Sequence, residues 1–316
     1  MPVRRQTQSY LRSLFAQRGI TPQHRLGQNF LIDLNLHEVI VKAAELGPRD
    51  VVLEVGSGAG AMTTLLARQA AAVVAVEVDA TMALLTSEAT AGQPNVRILN
   101  LDALAGKHAL EPELIDQVRA GLDIAAERQF KLVSNLPFSV ATPIVSNLLV
   151  HPDLRPVLMV VTIQLELAER MTAQPETSAY GSLSVLVQSL AEVEIVRRLP
   201  PSVFWPRPRV DSAIVRITPK PEKRAAVLDL AWFHSVVRQI FLHRRKNLRG
   251  VLHNLWREHW SKAEVDELLG TLGQTGLVRA EAMNVEEFID LAHALKKRLG
   301  QPISTLRADD AIDRSE

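Results

Sequence analysis

Two short stretches carry residue types and spacings that could do chemistry. The first is Gly56-Ser57-Gly58-Ala59-Gly60. Glycines spaced this way permit a tight turn and let a ligand reach the backbone, and a helix starting there offers free N–H groups to an anion. Gly56, Gly58 and Ala61 satisfy a dinucleotide fingerprint, whose third position accepts alanine. Glu77 follows about 20 residues on, where an acid binds ribose hydroxyls. NAD and S-adenosylmethionine both use such an acid, and a structural glycine turn with a surface acid has the same pattern. The second stretch is Asn135-Leu136-Pro137-Phe138. An Asn side-chain oxygen and a backbone carbonyl held by Pro can both accept from one exocyclic amine. A following aromatic ring can stack on a base. The combination suits methyl transfer to an amino nitrogen of a nucleobase, although a strand-ending turn with a core Phe reads the same. Asp102 completes the set as an acceptor for an adenine amino group, or as a plain loop cap.

These residues need elements that bring them to one edge. Apolar runs predict strands at 51–55, 73–78, 96–99, 130–134 and 157–163, with helices at 61–69, 81–90 and 166–172 between or after them. Thr142-Pro143 reads as an N-cap and first helical position for a helix to about residue 150. Residues 104–128 are polar and helix-prone. Further strands are expected at 193–198 and 212–218, joined by the Pro-rich stretch 200–208. The alternation predicts an α/β fold with a mostly parallel sheet covered on both faces. In such sheets ligands sit at the carboxyl ends of the strands, where the glycine loop, Glu77, Asp102 and Asn135 all fall. After Pro221 only helical patterns remain. Val237, Phe241, Leu248, Leu252 and Leu255 share one face, and Arg238, Arg245 and Arg249 another.

Composition excludes several classes. The chain has 316 residues, 47% of them hydrophobic, which supports a substantial core rather than disorder. The longest purely apolar run, Ala70–Val76, has seven residues, against about 18 needed to span a bilayer. With no Cys, disulfides, thiol nucleophiles and Cys-based zinc sites are excluded. No metal is expected, and a cytoplasmic monomer is. Net charge is +1, yet two segments lack acids. Residues 1–32 contain Arg4, Arg5, Arg12, Arg18 and Arg25. Residues 232–257 contain Arg238, Arg244, Arg245, Lys246, Arg249 and Arg257. They read as surfaces for a polyanion or as ordinary solvated faces. The Arg-rich amino terminus also has traits of a transit peptide.

The chain resembles the small-subunit ribosomal RNA adenine dimethyltransferase family from about Thr7 to Leu299. The resemblance rests on HRLGQNFLID (24–33), VLEVGSGAGAMT (52–63), VEVD (76–79), the Asp of LDAL (101–104) and NLPFSVATPI (135–144). It continues through AYGSLSVLVQ (179–188), PPSVFWPRPRVDSAIVRI (200–217), FLHRRKNLR (241–249) and RAEAMNVEEF (279–288). It covers most of the amino-terminal stretch and so argues against a removable leader.

The resemblance implies a Rossmann-like S-adenosylmethionine-dependent domain with a seven-stranded sheet over residues 1–222. A small all-helical RNA-binding domain over 223–300 and a flexible tail at 301–316 complete the division. It implies dimethylation of N6 of two adjacent adenosines in a 3′-terminal hairpin of 16S rRNA, within a pre-ribosomal particle. Asn29, Leu31, Gly56, Gly58, Glu77, Asp102 and Asn135 would contact the cofactor, and Asn135, Leu136, Pro137 and Phe138 the target adenine. Arg238, Arg244, Arg245, Lys246 and Arg249 would hold RNA. Four features depart from the family pattern. Phe138 stands where Tyr is usual, Ser139-Val140-Ala141 replaces Asn-Ile-Ser, Ser57 replaces Pro, and residues 104–128 run longer. Rival readings are a large-subunit rRNA methyltransferase of the macrolide-resistance type, a dinucleotide-dependent oxidoreductase and a binding factor without catalysis. The stretch 135–144 has none of the His, Tyr or Lys that an oxidoreductase needs.

Overall fold

The computed structural model describes residues 7–106 and 109–299. Arg4, Arg5 and the expected tail at 301–316 lie outside the described residues. Contacts divide the chain into two units. One comprises the residues up to Thr172 with Ala191–Pro219, and the other Ala173–Leu190 with the residues from Lys220 on.

In the first unit, α1 (Gln8–Arg18) begins at Thr7, whose hydroxyl accepts from the Tyr10 N–H, and ends at Gly19 with φ +63°. Then come β1 (Phe30–Leu31), α2 (Leu34–Ala43), β2 (Asp50–Val55), α3 (Ala61–Leu66), β3 (Ala72–Val76), α4 (Ala80–Ala89) and β4 (Val96–Leu99). A small hairpin, β5 (Leu104–Gly106) and β6 (Ala109–Leu110), precedes α5 (Pro112–Leu122), β7 (Gln129–Asn135), α6 (Ala141–Val150), β8 (Leu158–Gln164) and α7 (Leu165–Thr172). In the second unit lies α8 (Ser182–Gln188). The chain re-enters the first unit for β9 (Ala191–Leu199), β10 (Phe204–Trp205) and β11 (Ser212–Pro219). It then runs through α9 (Pro221–Ala226), α10 (Leu230–Phe241), α11 (Leu248–Leu255), α12 (Lys262–Thr271) and α13 (Val285–Leu299).

The sheet has seven strands in the order β4-β3-β2-β7-β8-β11-β9. The pairs β4–β3, β3–β2, β2–β7 and β7–β8 are parallel, while β11 is antiparallel to both β8 and β9. Every residue of β2 is buried, as a central parallel strand covered on both faces requires. The strand order reverses at β2, so a crevice opens at the carboxyl ends of β2, β3 and β7. Deep in this unit, the Lys131 ammonium meets Asp50 at 2.9 Å and donates to the carbonyls of Ala44 and Glu45 at 3.1 and 2.8 Å. Both partners of this ion pair are thereby compensated, and the end of α2 is tied to β2 and β7.

Four expectations are corrected. The helix after the Asn135 tetrapeptide starts at Ala141, one residue before Thr142, and its cap Val140 makes no side-chain bond. Residues 104–128 are not helix throughout, since the β5–β6 hairpin comes first. The apolar and basic faces read over 237–255 do not belong to one helix. The chain turns between Phe241 and Leu248, and Asn247 restarts it as an N-cap, its side chain accepting from the Gly250 N–H at 2.8 Å. The helical unit also takes in residues 173–190, which a boundary at 222/223 assigns to the other domain. There α8 is mostly buried, and the Tyr180 hydroxyl donates to the Met283 carbonyl at 2.8 Å.

Candidate active site

A cavity of about 290 Å³ opens at the carboxyl ends of β2, β3 and β7. Its walls include Asn29, Leu31, Gly56, Gly58, Glu77, Asp102 and Asn135 together with Leu136, Pro137 and Phe138. All the residues expected to serve cofactor and target base are thus brought together in one unit.

The glycine loop is shaped by contact as well as by turn geometry. Gly56 has φ +81°, and a Cβ there would lie 2.9 Å from the Pro137 ring. Gly58 has φ +57°, and a Cβ there would meet the Phe30 ring at 3.0 Å. The loop and the tetrapeptide therefore abut, with the Gly56 N–H donating to the Val76 carbonyl at 2.8 Å.

Glu77 is 6% exposed. Its carboxylate accepts from the Gly58 N–H at 2.9 Å and from the Asp79 N–H at 3.0 Å. Burial raises its pKa above the usual carboxylate range, and these two N–H groups oppose the rise. Asp102 is exposed at the rim and accepts from the Leu104 N–H at 3.0 Å. Asn135 donates its Nδ2 to the Asn29 carbonyl at 3.1 Å, which fixes the amide and leaves Oδ1 as an acceptor. The Pro137 carbonyl already accepts from Val140 N–H at 3.1 Å, while the Leu136 carbonyl accepts from none of the described residues. Leu136 buries its side chain, and the Phe138 ring is half-buried on the cavity wall.

Several cavity residues escape sequence reasoning. Val78 is 49% exposed, an apolar side chain on the wall between Glu77 and the rim. Its place directly after the acid was the available signal. Glu54 and His37 line the same cavity and are buried. Burial pushes the Glu54 carboxyl up to about 8, the Thr63 hydroxyl opposing and the Glu77 charge adding to the rise. Burial lowers His37 to about 4, so both stand predominantly neutral at neutral pH. Nothing in the local sequence distinguishes either from an ordinary core neighbour.

The candidate RNA residues belong to the helical unit. Arg238 is on α10 and half-buried, Arg245 and Lys246 are exposed on the turn, and Arg249 is on α11. Arg249 pairs with Asp266 at 2.6 Å, and Arg244 with Glu281 at 3.2 Å. Arg18, from the amino-terminal basic segment, is held by both oxygens of Glu88 at 2.8 and 2.6 Å.

The model of the ribosomal RNA adenine dimethylase family matches residues 20–297. The chain belongs to this family. It is 38% identical over 285 residues to a ribosomal RNA small subunit methyltransferase A of Lactiplantibacillus plantarum, covering 90% of this chain and 93% of that one. A ribosomal RNA small subunit methyltransferase A of Bacillus cytotoxicus is 39% identical over 280 residues, 88% of this chain and 92% of its own. Among solved structures, the 23S rRNA methyltransferase ErmE superposes with a TM-score of 0.60 at 28% identity, covering 86% of this chain and all of that one. A dimethyladenosine transferase from Plasmodium falciparum shares the fold with a TM-score of 0.71, at 22% identity over 84% of this chain and 97% of that one. Among the described residues no helix is long and apolar enough to cross a membrane, and no cluster of His, Asp or Glu could hold a metal ion.

Proposed function

We propose that this chain transfers methyl groups from S-adenosylmethionine to N6 of two adjacent adenosines in a 3′-terminal hairpin of 16S rRNA, acting on a pre-ribosomal particle. The observation that carries the reading is the placement of Asn135-Leu136-Pro137-Phe138 against the glycine loop in a single cavity. The small-subunit names of relatives at 38–39% identity favour this branch over the large-subunit type, for which ErmE stands at 28%. The test is labelled methyl transfer to small ribosomal subunits lacking the modification, followed by nucleoside analysis. N6,N6-dimethyladenosine is the expected product, and methylated cytosine or ribose alone would overturn the proposal.

The cavity suits the cofactor by its chemistry. Glu77 keeps lone pairs for ribose hydroxyls beyond the two N–H groups it already accepts. Val78 offers an apolar face for a base, and Asp102 an acceptor at its edge. Leu31 is buried as a side chain, and the Asn29 amide donates to the Gly27 carbonyl, so these positions serve chiefly through backbone. When bound, S-adenosylmethionine supplies an electrophilic methyl group on a sulfonium. The chain's own work is alignment. In the first transfer Asn135 Oδ1 and the Leu136 carbonyl accept the two N–H groups of the target amine and hold its lone pair toward the methyl donor. In the second, one of them accepts the single N–H that remains. Each transfer releases one proton to solvent as the N–C bond forms and the S–C bond breaks. The Phe138 face supports the base, which must be unpaired or flipped out to reach it.

Stacking on an aromatic ring is worth about 1–3 kcal/mol per base. Phe138→Ala is therefore expected to lower kcat/KM roughly five- to 150-fold, and Phe138→Tyr to stay near the parent. Equal rates for all three would assign Phe138 to packing alone.

The ion pairs divide the basic segment. Arg245 and Lys246 have no carboxylate partner among the described residues, whereas Arg244 and Arg249 are already partnered. Each neutralised phosphate adds about 0.7–0.9 to the slope of log affinity against log salt. Arg245→Ala and Lys246→Ala are each expected to weaken RNA binding and to reduce that slope by up to about one. Arg249→Ala should move it less, because Asp266 has already neutralised the charge. Filter binding of small-subunit rRNA over a salt series distinguishes them. Equal slopes for the parent and the Arg245 and Lys246 variants would take this turn out of the RNA surface.

A further inference from the structure

Residues 20–29 connect α1 to β1 and, from Arg25 on, form one wall of the cavity. Both ends of this connector are well anchored. Leu11 and Phe15 of α1 pack with Ala59, Met82 and Leu85, and β1 pairs with β10. Between these anchors, none of the residues described for burial is buried. What holds the connector is polar. Gln23 Nε2 and Gln28 Nε2 both donate to Asp79 Oδ2 at 2.9 Å, across 56 and 51 positions of sequence. The Gln23 N–H donates to Gln28 Oε1 at 2.8 Å, locking the two glutamines together.

Asp79 links this grip to the cofactor acid. Its Oδ1 caps α4, accepting from Thr81 and Met82 N–H at 2.9 and 3.3 Å. Its own N–H donates to Glu77 Oε1 at 3.0 Å, while Glu77 Oε2 takes the Gly58 N–H. A helix cap needs only the first of the two carboxylate oxygens. The second serves the connector, through hydrogen bonds to an ionised acceptor that are stronger than neutral ones.

We propose that Gln28 and Asp79 form a latch that holds the connector closed over the cavity, and are positioning residues for cofactor binding. The inference rests on the reading of this cavity as the S-adenosylmethionine site. Closure completes the wall, and it also places the Asn29 carbonyl that orients Asn135. Opening reduces the binding-competent fraction, and apparent affinity falls by that fraction.

The test exchanges donor and acceptor across the latch in the full chain. Asp79→Asn keeps an Oδ1 cap but turns a donor toward two donors. Gln28→Glu sets a carboxylate against Asp79. Each single variant is expected to bind S-adenosylmethionine roughly ten-fold or more weakly by calorimetry. Hydrogen exchange at 20–29 should rise. In the double variant, Gln28→Glu with Asp79→Asn, the introduced carboxylate can accept from the introduced amide while the Gln23 contact stays unmatched, so affinity should recover a clear part of the loss. Gln28→Ala, which only removes a half-buried side chain, should weaken binding without loss of the fold. Parent-like affinity in the single variants, or a double variant no better than either, would overturn the latch. Failure of the parent chain itself to bind S-adenosylmethionine would instead overturn the functional reading, and the latch with it.

Discussion

Asn135→Ala is expected to lower single-turnover methyl transfer about 100-fold or more, since misplacing a reacting group by about 1 Å alone costs that much. In the proposed reaction this residue makes two contacts. Its Nδ2 is committed to the Asn29 carbonyl, so Oδ1 has a fixed direction before any substrate arrives. Truncation removes an acceptor from the target amine and leaves the Leu136 carbonyl to hold it alone. Cofactor affinity should fall far less than turnover, because Glu77 and the glycine loop are untouched. Asn135→Asp separates the two functions. It keeps an acceptor oxygen but sets a carboxylate against the Asn29 carbonyl, so it should also lose activity. A rate for Asn135→Ala within three-fold of the parent would remove Asn135 from the methyl-transfer step.

The parts of the site that can be read from sequence are those fixed by strand ends. Buried β-branched runs announce β2, β3 and β7, and the parallel topology then brings Gly56, Glu77 and Asn135 to one edge. Contacts between distant segments leave no such signature. Asn29 on Asn135, Arg18 on Glu88 and Arg249 on Asp266 join residues 106, 70 and 17 positions apart. In the last two, an arginine from an expected polyanion surface already pairs with a carboxylate of the chain. Local patterns also misled where tertiary burial overrode them. The apolar residues Phe241, Leu248, Leu252 and Leu255 keep helical spacing straight through the turn at 242–247, and only Asn247 marks the break.

Gly56→Ala is expected to damage both halves of the reaction at once. At φ +81° any Cβ is strained, at about 1–3 kcal/mol for such a backbone conformation. The steric problem adds to this. The new methyl group would stand 2.9 Å from Pro137 Cδ and 3.0 Å from Cγ, and a pyrrolidine ring cannot swing aside as a flexible side-chain end can. Either the glycine loop withdraws from the cavity or Pro137 moves, carrying the Leu136 carbonyl with it. Either response misplaces the methyl donor relative to the amine, so kcat/KM should fall by about 100-fold or more. Thermal stability should drop as well. Gly58→Ala meets only the edge of the Phe30 ring, at 3.0 and 3.2 Å. That ring has to give by only a few tenths of an ångström within its packing against Phe15 and Trp205, so its cost should come mainly from the positive φ and appear in cofactor affinity. Gly92→Ala is the control, with nothing within 4 Å of its Cβ, and should leave activity and melting temperature unchanged. If Gly56→Ala matched Gly92→Ala in both measurements, the close approach of loop and tetrapeptide would have no part in alignment.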